Sequence, residues 1–163
     1  VMPVTPAEIM LAKVWAMALV VLVATWVSLT VVIRWAIGVP IEGSVPLFLL
    51  GTVLHLFATT SMGIYMATLA RSMPQFGLLM VLTMMPLEML SGGVTPRESM
   101  PQWVQYVMAL APTTHFTELS QAILYRGAGL SVVWSSLVWL LAIGVALFAL
   151  ALARFRKTIA RMA

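Results

Sequence analysis

An all-α integral membrane protein is the fold class this sequence predicts, with four transmembrane helices and an outer re-entrant helical hairpin between the third and the fourth. Three observations predict it. The 163 residues are 62% hydrophobic and only 9% charged, whereas soluble domains carry about 25% charged residues. Residues 127–153 run for 27 positions without a charge, and about 20 apolar residues suffice to cross the hydrocarbon layer. Arg154, Arg156, Lys157 and Arg161 then close the run, a basic cluster of the kind that stays in the cytoplasm. A soluble core is excluded. The net charge of +4 does not indicate nucleic acid, because the cations sit in the tail or flank apolar runs. With no cysteine, neither a disulfide nor a thiolate metal site can form, and no metal is expected.

The first element begins ahead of the membrane. Thr5, Pro6 and Glu8 combine a capping box with proline at the first helical position, so residues 1–13 read as a cytoplasmic segment ending at Lys13. Val1 opens a Pro-rich turn without the basic leader of a signal peptide, which reads as the C-terminal part of something longer. The first span covers 14–37 and is stopped by Gly38 and Pro40. A second span, 45–70, is started by Gly43 to Pro46, and a third, 74–94, is interrupted only by Glu88. The last span is 129–153, followed by the basic tail 154–163. The shortest clean run, 20 residues from Val14 to Ile33, rises about 30 Å, the hydrocarbon thickness.

Orientation follows from the basic residues. With both ends inside, Lys13, Arg71 and the four tail cations make six cytoplasmic charges against Arg34, Arg97 and Arg126 outside. The opposite arrangement reverses that bias. In the tail, Arg154, Lys157 and Arg161 share one helical face and Phe155, Ile159 and Met162 another, the pattern of an interfacial helix held by anionic lipid.

On the second span Gly51, His55, Thr59, Gly63 and Ala67 recur every four residues. Lipid rewards no such small and polar stripe, whereas close helix packing does. His55 within it reads as a histidine bonded inside the bundle, with a proton relay or a metal ligand as the other possibilities. Ser61 points about 120° away from His55, so the two cannot act as nucleophile and base.

Residues 95–127 form the outer segment. Ser91, Gly92 and Gly93 break the third span, Pro101 opens a short helix that Pro112 ends, and Thr113 or Thr114 can cap a second helix running to Arg126. A helix of about ten residues is about 15 Å long and cannot cross. Trp103, Tyr106 and Tyr125 suit the headgroup level, and the pair reads as a re-entrant hairpin, allowed at depth only where protein or water covers it. Glu88 must likewise face protein or water, paired with Arg97, His115 or Arg34, serving the pathway, or neutralised by protonation. The thirteen methionines, Met80, Met84, Met85 and Met89 among them, are adaptable packing or a route for apolar cargo.

At this point the sequence resembles the ABC-2 family of ABC exporter permeases. The residues that carry the resemblance are Leu90-Ser91-Gly92-Gly93, Pro96, Glu98-Ser99-Met100-Pro101, Trp103-Val104-Gln105, Ala111-Pro112-Thr113-Thr114-His115, Arg126-Gly127 and Trp134, with Pro3 to Ile9 and Lys13 at the start. Gly93-Val94-Thr95 departs from it, since many members carry bulkier aromatics there. The resemblance implies the latter four of six spans, the exporter transmembrane domain, a second permease half in a homo- or heterodimer, and a cytoplasmic nucleotide-binding subunit that holds ATP and Mg. This chain itself has no G-x-x-x-x-G-K-[ST] loop and is expected to hold no cofactor and to be no enzyme.

The expectations for function follow. The chain is read as a permease subunit, in a bacterial inner membrane and in contact with lipid, of an ATP-driven exporter of a hydrophobic or amphipathic substrate. Thr5, Pro6, Glu8, Lys13 and Arg71 are assigned to coupling with the nucleotide-binding partner. Glu88, Gly92, Gly93, Glu98, Pro101, Pro112, Thr114 and His115 are assigned to the outer gate or route, and Gly51, His55, Thr59 and Gly63 to helix packing. The competing reading is a proton-coupled secondary transporter using Glu88 and His55.

Overall fold

The structure, a computed structural model, describes residues 6–38 and 41–160. Thr5, with its expected cap, and the tail end 161–163 lie outside the described residues. All the regular elements described are helical: α1 (Pro6–Val27), α2 (Val45–Leu69), α3 (Met73–Met89), α4 (Gln102–Met108), α5 (Pro112–Arg126) and α6 (Leu130–Ala160). Among the described residues three helical stretches are long and apolar enough to cross a membrane, Glu8–Ile33, Val45–Leu69 and Leu130–Phe155.

α1 runs without a break into ten residues of π-helix, Ser28–Ile37, which the sequence reading treats as ordinary helix. The wider turn closes at Gly38, in the left-handed region at φ 72°, whose N–H bonds the carbonyl of Ile33 five residues back. Near its start the Thr30 hydroxyl donates to the Trp26 carbonyl at 2.7 Å, a side-chain bond that competes for the helical acceptors. Met10, Val14, Ala18 and Leu29 are the buried residues of this stretch, a narrow seam that leaves most of its surface to the surroundings.

α2 is the hub, in contact with α1, α3, α5 and α6. Ser44 caps it by accepting from the Leu47 amide at 3.5 Å, with Pro46 in the first turn. Its closest partner is α6, where Gly144 lets the backbones approach: a Cβ there would meet the Phe57 ring at 2.7 Å. The central core is Leu29, Phe48, Leu119, Ile123, Val133, Leu137 and Leu140, in which α5 is wedged against α2 and α6.

α3 departs from the expected 74–94 span. Ser72 caps it by accepting from the Gln75 amide at 3.3 Å, while Gln75 Oε1 takes the Arg71 N–H at 2.8 Å, close to a capping box. It ends at Met89 after 17 residues, about 25 Å of rise against a hydrocarbon layer of about 30 Å. The stop has three causes. Pro86 withdraws an amide donor, the Ser91 hydroxyl bonds the Glu88 carbonyl at 2.8 Å, and Gly92 turns the chain at φ 98°. α3 buries none of its own residues.

The two short helices exist, with different ends from those expected. α4 has seven residues, and Pro112 opens α5 where the sequence reading has it closing the first helix. Ala111 stands at the N-cap and gives no side-chain bond, so neither threonine is a cap. Thr113 instead donates to the Leu87 carbonyl of α3 at 3.4 Å. The far end follows expectation: Gly127 adopts φ 61°, its N–H bonds Ile123 O, and the Ala128 N–H bonds Ala122 O at 2.9 Å, a Schellman closure.

Gly144→Ala is expected to lower the stability of the protein by about 1–2 kcal/mol through overpacking on Phe57. Gly63→Ala, where a Cβ meets nothing within 4 Å, is expected to be neutral or stabilising. Thermal unfolding of the two detergent-purified variants checks the contrast.

Candidate functional site

The irregular backbone between α3 and α4 folds over α5 and leaves a polar cavity of about 460 Å³. Gly92, Gly93, Arg97 and Glu98 line it from the loop, and Thr117, Glu118 and Gln121 from α5. Arg97 reaches across to pair with Glu118, the two side chains being 32% and 38% exposed. Gln121 Nε2 donates to the Gly92 carbonyl at 3.5 Å. A single turn, Arg97–Ser99, is closed by the Ser99 hydroxyl on Pro96 O at 2.7 Å. Gln105 of α4 then bonds Met100 O at 2.9 Å, so the loop is tied at both ends.

Behind the ion pair sits His115, buried. Its Nε2 bonds the Ala109 carbonyl at 2.8 Å, an acceptor, so Nε2 carries the hydrogen and the turn between the two short helices is fixed. Nδ1 lies 4.0 Å from Glu118 Oε2, beyond hydrogen-bond range. The ring stacks on Trp139 of α6, centroids 5.9 Å apart at 7°. Burial, more than the neighbouring Arg97 charge, holds His115 below the ordinary histidine range, with the Ala109 carbonyl partly offsetting both. The imidazole is a neutral bracket.

The stripe on α2 divides. Gly51 faces α5 so closely that a Cβ would meet the Leu119 side chain at 2.6 Å. One turn on, His55 stacks on Phe116, centroids 4.3 Å apart at 12°. Thr59 bonds its own helix at His55 O, 2.9 Å, and Gly63 has open space before it. Only the Gly51 and His55 end therefore meets α5. Two buried polar atoms there, His55 Nδ1 and Thr114 Oγ1, find no partner among the described residues.

Other assigned residues stand apart. Glu88 is exposed and makes none of the described ion pairs, so the expected pairing with Arg97 or His115 is not formed; Arg97 belongs to Glu118. Glu98 and Pro101 are exposed and Pro112 is buried. At the opposite end Glu8, Lys13 and Arg71 are exposed, with Glu8 in the first turn of α1. Among the described residues no group of three or more His, Asp or Glu could hold a metal ion. Sequence reasoning missed the Arg97–Glu118 pair and Trp139. The usable signal was that residues 99–117 carry no charge, so that a hairpin brings the opposite charges at its two ends together.

Comparison with known proteins decides the family: the sequence matches the family described as ABC-2 type transporter over residues 1–125. The chain belongs to the ABC-2 type transporter family. It is 63% identical over 163 residues, its whole length, to the inner membrane transport permease YhhJ of Escherichia coli K12, of which it covers 44%. It is 32% identical over 162 residues to a protein named "Probable multidrug ABC transporter permease YbhR" from the same organism, covering 98% of this chain and 43% of that one. ABC transporter G family member 20 of Dictyostelium discoideum is 31% identical over 107 residues, 64% of this chain and 15% of that one. The chain thus spans less than half the length of each relative. No solved structure matches it. The family match ends inside α5, so that the 91–98 loop, Gln105 and the α5 residues Thr117, Glu118 and Gln121 that line the cavity fall within it and Arg126 lies just beyond. Membership fixes this ABC-2 chain as an integral membrane protein of a transport family.

Glu118→Gln and Arg97→Gln are each expected to destabilise the loop by no more than about 1 kcal/mol, since both groups are partly solvated. The exchange Arg97→Glu with Glu118→Arg is expected to recover part of it. A double-mutant cycle on thermal unfolding measures the coupling; additivity of the two single changes would show that the pair contributes nothing.

Proposed function

We propose that this chain is the latter part of a permease subunit that exports a hydrophobic or amphipathic molecule, driven by ATP hydrolysed on a separate nucleotide-binding subunit or domain that also holds Mg. The observation that carries it is the 63% identity along the whole chain to a protein named a transport permease, within the ABC-2 type transporter family. The name of the second relative, a multidrug permease, supports an amphipathic or apolar cargo. ATP chemistry is assigned to a partner because no phosphate-cradling G-x-x-x-x-G-K-[ST] loop occurs here. The membrane is the inner membrane, and a second permease half completes the route.

In this reading α3 is the third of four spans and α4 with α5 is an outer re-entrant hairpin. Support comes from lengths: 7 and 15 residues are too few to cross, while α3, an apolar helix of 17 residues, nearly suffices. Glu88, Gly92, Gly93, Glu98, Pro101, Pro112, Thr114 and His115 then line or brace the exit, and Thr5, Pro6, Glu8, Lys13 and Arg71 belong to the cytoplasmic side that the partner drives. A shift of that side would pass into the bundle through rigid helices. The secondary-carrier reading gains no support from the contacts, because His55 is stacked on Phe116 of α5 and Glu88 is exposed on α3.

The full-length protein, copurified with its associated chains and placed in inverted vesicles, is expected to transport amphipathic dyes only with ATP and to continue when the proton gradient is collapsed. Transport driven by a pH gradient without ATP would overturn the proposal. Orientation has its own test, since this chain has no cysteine. In an otherwise cysteine-free protein, an impermeant thiol reagent added to intact cells is expected to label Gln105→Cys and to spare Thr158→Cys; the reverse pattern inverts the topology.

A further inference from the structure

Where α1 begins and α2 and α6 finish, the three helices leave an apolar cavity of about 220 Å³. Ile9 and Lys13 of α1, Ile64, Ala67 and Thr68 of α2, and Phe155 of α6 line it. The Thr68 hydroxyl is already engaged, donating to the Tyr65 carbonyl at 2.6 Å. Lys13 is therefore the charged member of the lining and makes none of the described ion pairs. Beside Phe155, the Arg154 guanidinium lies over the Tyr65 ring, 5.9 Å from its centroid. Ile9, Lys13 and Ala67 are exposed, so the cavity opens sideways, toward whatever surrounds the helices.

Depth tells what that is. Lys13 is the last charge before the 20 uncharged residues 14–33, and Arg154 is the first charge after the 27 uncharged residues 127–153. Both cations mark one level, the boundary where hydrocarbon gives way to headgroups. We propose that this cavity binds an anionic phospholipid, with Lys13 holding the phosphate and the Ile9, Ile64 and Phe155 walls taking the first part of an acyl chain. A compact ammonium on a flexible stem suits a phosphate approached as a point charge. The apolar walls would otherwise face lipid loosely, and basic pockets between helices at this level favour anionic headgroups. A free phosphate would leave those walls without a partner. The site needs only that the chain spans a membrane; it stands whether or not the export reading does.

The test uses the full-length protein purified in detergent, with phosphatidylglycerol or phosphatidylcholine added back, and reads lipid retained by native mass spectrometry and the unfolding midpoint. Phosphatidylglycerol is expected to be retained and to raise the midpoint more than phosphatidylcholine does. Lys13→Gln, at an exposed position, is expected to weaken phosphatidylglycerol about fivefold while leaving the phosphatidylcholine response unchanged. Lys13→Arg is expected to keep the preference, and Ala67→Leu, which fills the cavity from its rim, to abolish retention without lowering the lipid-free midpoint. Equal responses to the two lipids would overturn the proposal. So would a preference that survives Ala67→Leu, which means diffuse surface attraction, or release of the lipid when the nucleotide-binding partner is added, which assigns the cavity to a protein side chain.

Discussion

Everything on one side of this molecule depends on how α5, a helix of 15 residues, is seated between two long apolar helices. The seat is apolar packing with one polar insertion: Phe116, Leu119 and Ile123 enter the groove between α2 and α6, and His55 stacks beneath Phe116. Leu119 and Ile123 are fully buried, and each such side chain contributes about 1.5–3 kcal/mol relative to exposure in water. Lipid tails are as apolar as the groove, so in a bilayer the gain comes instead from close fit. That is why glycines occur where they do. Gly51 admits Leu119, and Gly43 lies so near the end of α5 that a Cβ would run into the Ile123 carbonyl oxygen.

Once α5 is placed, the irregular backbone ahead of it can be satisfied. An unpaired amide or carbonyl buried away from water costs free energy, and the loop from Leu90 to Met100 has no ladder of its own. Its polar groups find partners in the helices beside it and in its own turns: Gly92 O accepts from Gln121, the Ser91 hydroxyl donates to Glu88 O of α3, and Pro96 O accepts from Ser99. The Arg97–Glu118 pair closes the arrangement over a cavity. His115 performs the same service for the turn into α5 by bonding Ala109 O. His115, which looks like candidate chemistry in the sequence, is here occupied in holding backbone.

How much of this was legible varies with the kind of signal. Helices that cross by simple hydropathy were readable because the signal is length without charge, as in residues 127–153. Gly127 was readable because only a residue free to adopt positive φ closes a helix in that way. The cap at Thr113 or Thr114 was a misreading with a physical cause: a threonine after a proline satisfies the local rule for a cap, but Pro112 already fits the first turn, which moves the cap position to Ala111. The π-helical stretch 28–37 left no periodic trace, since it changes the turn by less than one residue. Pairing of Glu88 with Arg97 is not formed because the fold turns Arg97 toward α5 and Glu118, while the Arg34 side chain lies outside the described residues. His55 was singled out by its place in a stripe of small residues, but the ring it stacks on, Phe116, lies 61 positions away and no local pattern announces it.

α3 follows from the same constraint, taken from the other side. Among the described helices of comparable length it is the one that buries none of its own residues, and its joins to the rest are few: Thr113 on Leu87 O at one end and the Ser72 and Gln75 turn at the other. A helix with Leu78, Val81, Leu82 and Met85 all exposed has no stable existence in water, so its order depends on an apolar medium or another chain against that face. The tightly seated α5 and the loosely held α3 are connected through the loop that the Arg97–Glu118 pair fastens. A displacement of α3 is therefore passed directly to that loop, while the packed seat of α5 resists it. Whatever this face meets in the membrane, the mechanical consequence falls on the backbone between Leu90 and Pro101, where the hydrogen bonds are single and the ion pair is half-solvated.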